Sequence, residues 1–506
     1  MKKHAELYIV IAMVLGIFMA SIDNTIVSAS INKVIEDIGG FDKMSWVFTS
    51  YMLATTSTML VFGKLSDIYG RKLFFLIGVG TFLIGSALCG MAQNIDQLIW
   101  YRVIQGIGSG ALLPISFTII FSIFANPEKA AKMTGIFAAV FGLSSVLGPQ
   151  LGTWISDNWD WRWCFYVNVP IGVLSFFILL FALKETKADR KPKIDYVGTI
   201  LLIATTIALM LVFEWGGKDY AWDSQQIIGL IIGSVVGLIA FLIVETKVSE
   251  PILALHLFKN KMISGTSVIV FCQGALMFSA ITYIPIFAVG VLGREGSNGL
   301  LTPMMVSLMA GASLGGILVS KFKFRTFYIF SMIMGAIVGY LLHIIGPDTD
   351  YYKVILIMIM LGMLAIGPLM SVSQNAVALS IPKEMLGIAN SLVAFFRNLG
   401  GIMGASIMAT IVNNSLADNL KESMKSAHIP ADQMKSMGNP EVLLQGNSNL
   451  PPQVMDMIRE ALAAAINHGF TLAIVVSILG LIVALFVGSD QFTFEKKEEE
   501  KEETSH

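Results

Sequence analysis

Asp23 stands inside an apolar run, with "MVLGIFMAS" close before it and "TIVSASI" close after it. Arg102 stands near the head of another such run, and Gln105 follows three residues later. A carboxylate in such surroundings is costly unless it is paired, hydrated or protonated. A neighbouring cation lowers its pKa and desolvation raises it, so a motion that changes either would bind and release a proton. Asp23 and Arg102 are therefore candidate proton-coupling residues facing one cavity. Gln105, on nearly the same helix face as Arg102, is a candidate donor to a substrate or to a backbone carbonyl. Arg397, about ten residues into a later run, either lines that cavity or bonds carbonyls at a helix seam. A second group lies in "GKLSDIYGRK", residues 63 to 72. Gly63 and Gly70 permit a tight turn and close helix approach, Asp67 can pair with a helix N-terminus or a basic residue, and Arg71 can reach a carboxylate or carbonyl. A third lies in "VLGPQLG", where Pro149 removes a backbone donor and Gly148 and Gly152 admit a neighbouring helix, predicting a bent, tightly packed element.

The elements that carry these residues follow from composition. A chain of 506 residues that is 55% hydrophobic and 14% charged cannot keep the surface of a water-soluble globule wet. The expected solvent is a bilayer, with membrane lipids as neighbours. A net charge of −1 gives no field for nucleic acid, and none is expected as a partner. Cys89, Cys164 and Cys272 form neither a disulfide framework nor a metal-ligand spacing, so they read as small core residues, and no metal or cofactor is expected. Nothing matches the phosphate loop G-x-x-x-x-G-K-[ST], which argues against ATP as the direct energy source. Lys2, Lys3 and "SAS" at 28-30 loosely resemble a signal peptide, but the run passes Asp23 and is too long for one.

Crossing about 30 Å of hydrocarbon takes roughly 20 helical residues. Fourteen runs qualify, the seventh and eighth (195-215 and 226-245) being the least sharply bounded. With the N-terminus inside, Lys and Arg favour the inner connections by roughly two to one, so both termini are expected in the cytoplasm of a multi-pass protein in a bacterial cytoplasmic membrane. The 63-72 turn then lies on the inner face. Residues 413-466 read as a long outer connection in which "PPQVMDMIREALAAAIN" is helical, either a cap over the outer mouth or a linker. Residues 491-506 read as a solvated charged tail.

The chain also matches itself. An offset of 252 places Gly135, Leu147, Gly148 and Gly152 over Gly387, Leu399, Gly400 and Gly404, and an offset of 253 places Gly63 and Leu65 over Gly316 and Leu318. This predicts two parallel six-span halves, 1-187 and 251-490, with two inserted spans in 188-250, a construction suited to rocking around a central site. Ser320 and Phe324 stand where the first copy has Asp67 and Arg71.

"GKLSDIYGRK" resembles the loop signature of the major facilitator superfamily, and "LIWYRVIQGIGSGALLP", with Arg102, Gln105, Gly106 and Gly110, resembles its fourth-span motif. "VLGPQLG" is similar to its antiporter motif, while "IDNTIV" and "WRWCFYVNVPIG" resemble the fourteen-span drug:proton antiporter branch. Departures from the branch pattern at Ser28, Asn32, Ser144 and Thr153 bear on substrate more than on fold. The resemblance implies an all-α membrane fold of two six-helix bundles plus two inserted helices. It implies a cytoplasmic latch in the 63-72 turn, leak control in the antiporter motif, and a monomer that is not an enzyme. The expected function is proton-coupled export of lipophilic cationic or neutral drugs by alternating access. Export of an endogenous lipid, bile salt or peptide is the alternative. An intramembrane enzyme or a scaffold fits less well, since His343, well inside a span, has no partner motif such as H-E-x-x-H. The 28 Met and 32 Phe residues suit a pliable wall, though packing explains most of them.

Overall fold

The computed structural model describes residues 3–124, 126–185, 194–248, 250–294, 298–427 and 452–488. Helices begin where the sequence supplies caps. Asn94, Asn126, Asp195, Ser224, Asn260 and Asp350 each accept a bond from a backbone N–H two or three residues on, satisfying a donor that the first turn leaves open.

The first bundle contains α1 (Lys3–Ile38), α2 (Met44–Tyr69), α3 (Arg71–Gly90), α4 (Ile95–Ile123), α5 (Pro127–Asn158) and α6 (Trp163–Ala182). The inserted pair is α7 (Tyr196–Trp215) and α8 (Gln225–Lys247). The second bundle contains α9 (Lys261–Val291), α10 (Asn298–Leu318), α11 (Phe324–Ile344), α12 (Tyr351–Leu379), α13 (Leu386–Ala427) and α14 (Pro452–Phe486). Among the described residues, 13 of these helices are long and apolar enough to cross a membrane. The other is α2, whose "TSYMLATTST" makes it less apolar because it lies between the two bundles, with Thr55, Thr56 and Ser57 all buried.

The halves repeat each other's packing. In the first, α1 contacts α5 and α6, α2 contacts α4, and α3 contacts α4 and α6; in the second, α9 contacts α13 and α14, α10 contacts α12, and α11 contacts α12 and α14. The bundles meet along two seams, α2 with α13 and α5 with α10, and α7 lies against the α2–α13 seam. Four of the glycines matched by the sequence offsets, Gly63, Gly135, Gly316 and Gly387, are where the seams cross, while Gly148, Gly152, Gly400 and Gly404 bring helices together within a bundle. A Cβ on Gly63 would meet the Gly387 carbonyl oxygen at 2.7 Å, and one on Gly316 would meet the Gly135 Cα at 2.9 Å. Side chains at these points would hold the bundles apart.

One expectation needs correction. The expected long connection 413-466 is taken up from both sides by α13, which reaches Ala427, and by α14, which starts at Pro452. From Pro452 on, "PPQVMDMIREALAAAIN" is the start of α14, not a separate cap. The reason is packing: Ile458, Leu462 and Ile466 form a buried stripe in one core with Leu416 and Leu420 of α13, and no proline interrupts the run into the membrane. The middle of that connection (428–451), the boundary at 187/188 and the tail 491-506 lie outside the described residues.

Gly70 adopts φ +115 between α2 and α3, and the Glu185 side chain fills the space where a Cβ would stand. Glu185 accepts from the Leu73 N–H at 3.0 Å, placing a carboxylate at the start of α3 where the helix dipole favours it. Gly70→Ala is expected to lower stability by about 1–3 kcal/mol through backbone strain and the displaced carboxylate, read as an earlier melting transition in detergent.

Candidate functional site

Asp23, Arg102 and Gln105 come together in the core of the first bundle, each with 0% exposure. Arg102 Nη1 donates to Asp23 Oδ2 and, at 2.8 Å, to Gln105 Oε1. Gln105 Nε2 donates to Asp23 Oδ1 at 2.7 Å. The guanidinium is held on its other sides: Nε donates to the Val47 carbonyl at 3.1 Å, Nη2 to Asn24 Oδ1 at 2.8 Å, and the Tyr51 ring lies 4.1 Å from it in cation–π contact. Such a pair is stable in oil because every strong donor and acceptor has a partner.

The site has members that the sequence did not single out. Asn168 Nδ2 donates to Asp23 Oδ1 at 2.9 Å, and Ser86 Oγ accepts from Gln105 at 3.1 Å and from Asn168 at 3.3 Å. Asn168 belongs to "WRWCFYVNVPIG", where a four-residue helical turn (Trp163–Tyr166) precedes the rest of α6 and Pro170 follows. An amide among apolar residues beside a proline was a readable signal; Ser86 and Tyr51, common types in ordinary positions, carried none. The same motif fixes α6 to α1, because Trp161 Nε1 and Arg162 Nη1 donate to Asp37 Oδ2 at 3.1 and 2.8 Å. Asn168→Ala removes one of three donors to Asp23, and an expected loss of about 1–3 kcal/mol should appear in thermal unfolding.

Gly148 and Gly152 sit on the neighbouring seam, where Cβ atoms would strike Thr25, Ile26 and Ala29 of α1. The antiporter motif thus packs on the turn of α1 just after Asp23. Ser144, one of the departures, also belongs to this seam, accepting at 3.4 Å from Thr25 through its carbonyl.

At the face bearing the 63-72 turn the two bundles are joined. Asp67 accepts from the Gly387 N–H at 2.8 Å and the Ile388 N–H at 3.0 Å, placing its carboxylate on the first turn of α13. Arg71 lies 3.5 Å from Asp67 and donates to the Lys383 carbonyl and Ser122 Oγ. Deeper on this face, Asn390 donates to Thr118 Oγ1 at 3.1 Å and Asn375 to Thr134 Oγ1 at 2.8 Å. Of the four residues expected to form a latch, Gly63, Asp67 and Arg71 touch the second bundle here, while Gly70 shapes the turn between α2 and α3 against Glu185.

Between the bundles lies a cavity of about 640 Å³, reaching from Met59, Leu113 and Arg397 at mid-membrane to Ser28, Thr153 and Leu301 toward the opposite face. That size suits a drug-sized ligand. Met52, Phe141, Phe278 and Met305 give it pliable apolar walls, and Ser28 and Thr153, two of the departures, line it. Asp23, Arg102 and Gln105 do not line it, contrary to the expectation that they face it. Asn24 and Tyr51 do, and they stand between the cavity and the pair. Arg397 is the residue that lines it, and no carbonyl at a seam accepts from its side chain among the described residues.

Two parallel bundles around a central cavity are the construction of membrane transporters. His343 Nδ1, at 2.8 Å from the Asn467 carbonyl oxygen, ties α11 to α14. The Major Facilitator Superfamily model matches residues 13–405, and the chain belongs to that family. Multidrug resistance protein 3 of Bacillus subtilis is 41% identical over 493 residues, covering 96% of each chain. Multidrug transporter protein MdtP of the same organism is 32% identical over 523 residues, covering 99% of this chain and 96% of its own. The crystal structure of the human organic anion transporter MFSD10 (TETRAN) superposes with a TM-score of 0.64 at 11% identity, covering 95% of this chain and 99% of that one, which speaks for the fold alone.

Proposed function

We propose that the protein is a proton-coupled antiporter that exports lipophilic compounds across a bacterial cytoplasmic membrane, acting as a monomer with both termini inside. The observation that carries this reading is a fully buried carboxylate–guanidinium cluster one layer behind Asn24 and Tyr51, which line a cavity between two bundles that are hydrogen-bonded to each other at the turn face. The names of the two Bacillus relatives favour drugs as cargo.

In this reading the turn face is cytoplasmic. Asp23 exchanges the proton, and Arg102 sets its affinity, since an ionised Asp23 satisfies the guanidinium and a protonated one does not. Asn24, which touches both the cavity and Arg102, and Gly148, Pro149 and Gly152, which seat the same turn of α1, transmit the change to helix packing. Gln105 orients the carboxylate. Asp67 and Arg71 hold the cytoplasmic face shut until the bundles rock. In proteoliposomes with an imposed proton gradient, a lipophilic dye should accumulate against its own gradient and stop when a protonophore is added. Accumulation that ignores the protonophore would remove the coupling.

A further inference from the structure

The charge of the cavity differs from what a cation exporter needs. Arg397 is the only charged residue among those lining it, and it is 5% exposed. No carboxylate lies within ion-pairing distance of it among the described residues. The deep acid, Asp23, is behind Asn24 and Tyr51 and is already neutralised by Arg102. Ser21 adds a buried hydroxyl on the cavity wall with no partner. A buried guanidinium without a counter-ion is costly, and the cost falls when an anion with two oxygens meets its forked donors. The remaining wall, with Met59, Phe141, Phe278 and Met305, suits an apolar body.

We infer that this cavity binds amphiphiles carrying a single anionic group, a carboxylate or sulfonate, and that Arg397 receives that group. The inference deepens the export reading and rests on it for the cavity being the cargo site. It narrows the cargo from lipophilic compounds in general to lipophilic anions, against the cationic cargo expected from the sequence, with neutral compounds bound more weakly.

Three fluorescent probes with one dansyl body test it: dansylglycine (anion), dansylamide (neutral) and dansylcadaverine (cation). Each is titrated into the purified protein in lipid nanodiscs, with empty nanodiscs subtracted for partitioning. The parent should bind dansylglycine about tenfold or more tightly than dansylcadaverine. Arg397→Gln should weaken dansylglycine by about tenfold or more and dansylamide far less, while Arg397→Lys keeps part of the preference. Equal binding of the three probes by the parent, a preference for the cation, or an Arg397→Gln protein that keeps full dansylglycine affinity would overturn the inference. Should that variant not fold, the order of the three probes on the parent and the Lys variant decide it alone. Binding of none of the probes overturns this inference and leaves the export reading to the proteoliposome assay, whereas anion-selective binding without proton-driven movement removes the export reading only.

Discussion

The substitution Asp23→Asn is expected to abolish substrate-driven proton movement and, in the same protein, to destabilise the first bundle by about 3–5 kcal/mol. The two losses have one origin. The Arg102 guanidinium is fully buried and has no water to fall back on. The introduced amide would offer it an uncharged oxygen while turning an NH₂ group toward Gln105 or Asn168, which are themselves donating. Adding Arg102→Gln removes the orphaned charge, so the double variant should recover much of the stability and none of the proton movement. Vesicle pH measurements beside thermal unfolding separate the effects. Proton movement that survives in the single variant would take Asp23 out of the coupling mechanism whatever the unfolding curve shows.

Gly387→Val should force the turn face open. A Cβ there meets Asp67 Oδ1 and Ser66 Oγ at 2.7 Å as well as the Gly63 carbonyl, so the close crossing of α2 and α13 is lost together with the two N–H bonds that Asp67 receives. Bonds to a charged acceptor contribute roughly 1.5–3 kcal/mol each, and about 5.5 kcal/mol carries a two-state balance from one side to the other. The population should therefore move from mostly latched to mostly open. Thr118→Cys would report it, because that site is sealed beneath α13 by the bonds of Thr118 with Leu386 and Asn390. The three buried native cysteines are first replaced. Labelling of the new thiol by a membrane-impermeant maleimide from the turn face should then quicken about tenfold or more. An unchanged rate would mean that the crossing does not govern closure.

Much of this is legible in the residues. Asp23 and Arg102 can be paired in advance because charged groups within apolar runs have few ways to be satisfied, whereas Gln105, expected to donate to a substrate or a backbone carbonyl, donates to Asp23 and Ser86 instead. The repeat is legible too, since glycine recurs at offsets of 252 and 253, but that Gly63, Gly135, Gly316 and Gly387 mark the crossings between the halves emerges only from the packing. What escapes is orientation. Nothing in helix periodicity says whether a charge points into a cavity or across a bundle core, so the expectation that Asp23 faces the cavity fails. For the same reason the sequence leaves Arg397 between cavity and seam, and the structure places it on the cavity. Asn168 completes the cluster from a helix whose own pattern looks apolar. The extension of α13 is hidden by polar residues that suggest a loop, and the helix read in "PPQVMDMIREALAAAIN" is not seen to be continuous with the last span, because each extension is stabilised mainly by the other.

The two glycine crossings look like mirror images, yet only one carries a clasp. At α2–α13 the crossing is bound by Asp67 and Arg71, while at α5–α10 the matching positions hold Ser320 and Phe324, which make no such bonds among the described residues. The α5 edge is held across the bundles more lightly, by the single Asn375–Thr134 bond beside Gly135. In the rocking scheme proposed above, the charged edge would be the bolt and the lightly held edge the pivot, so that damage to the pivot should slow the cycle in both directions without choosing which way the molecule faces.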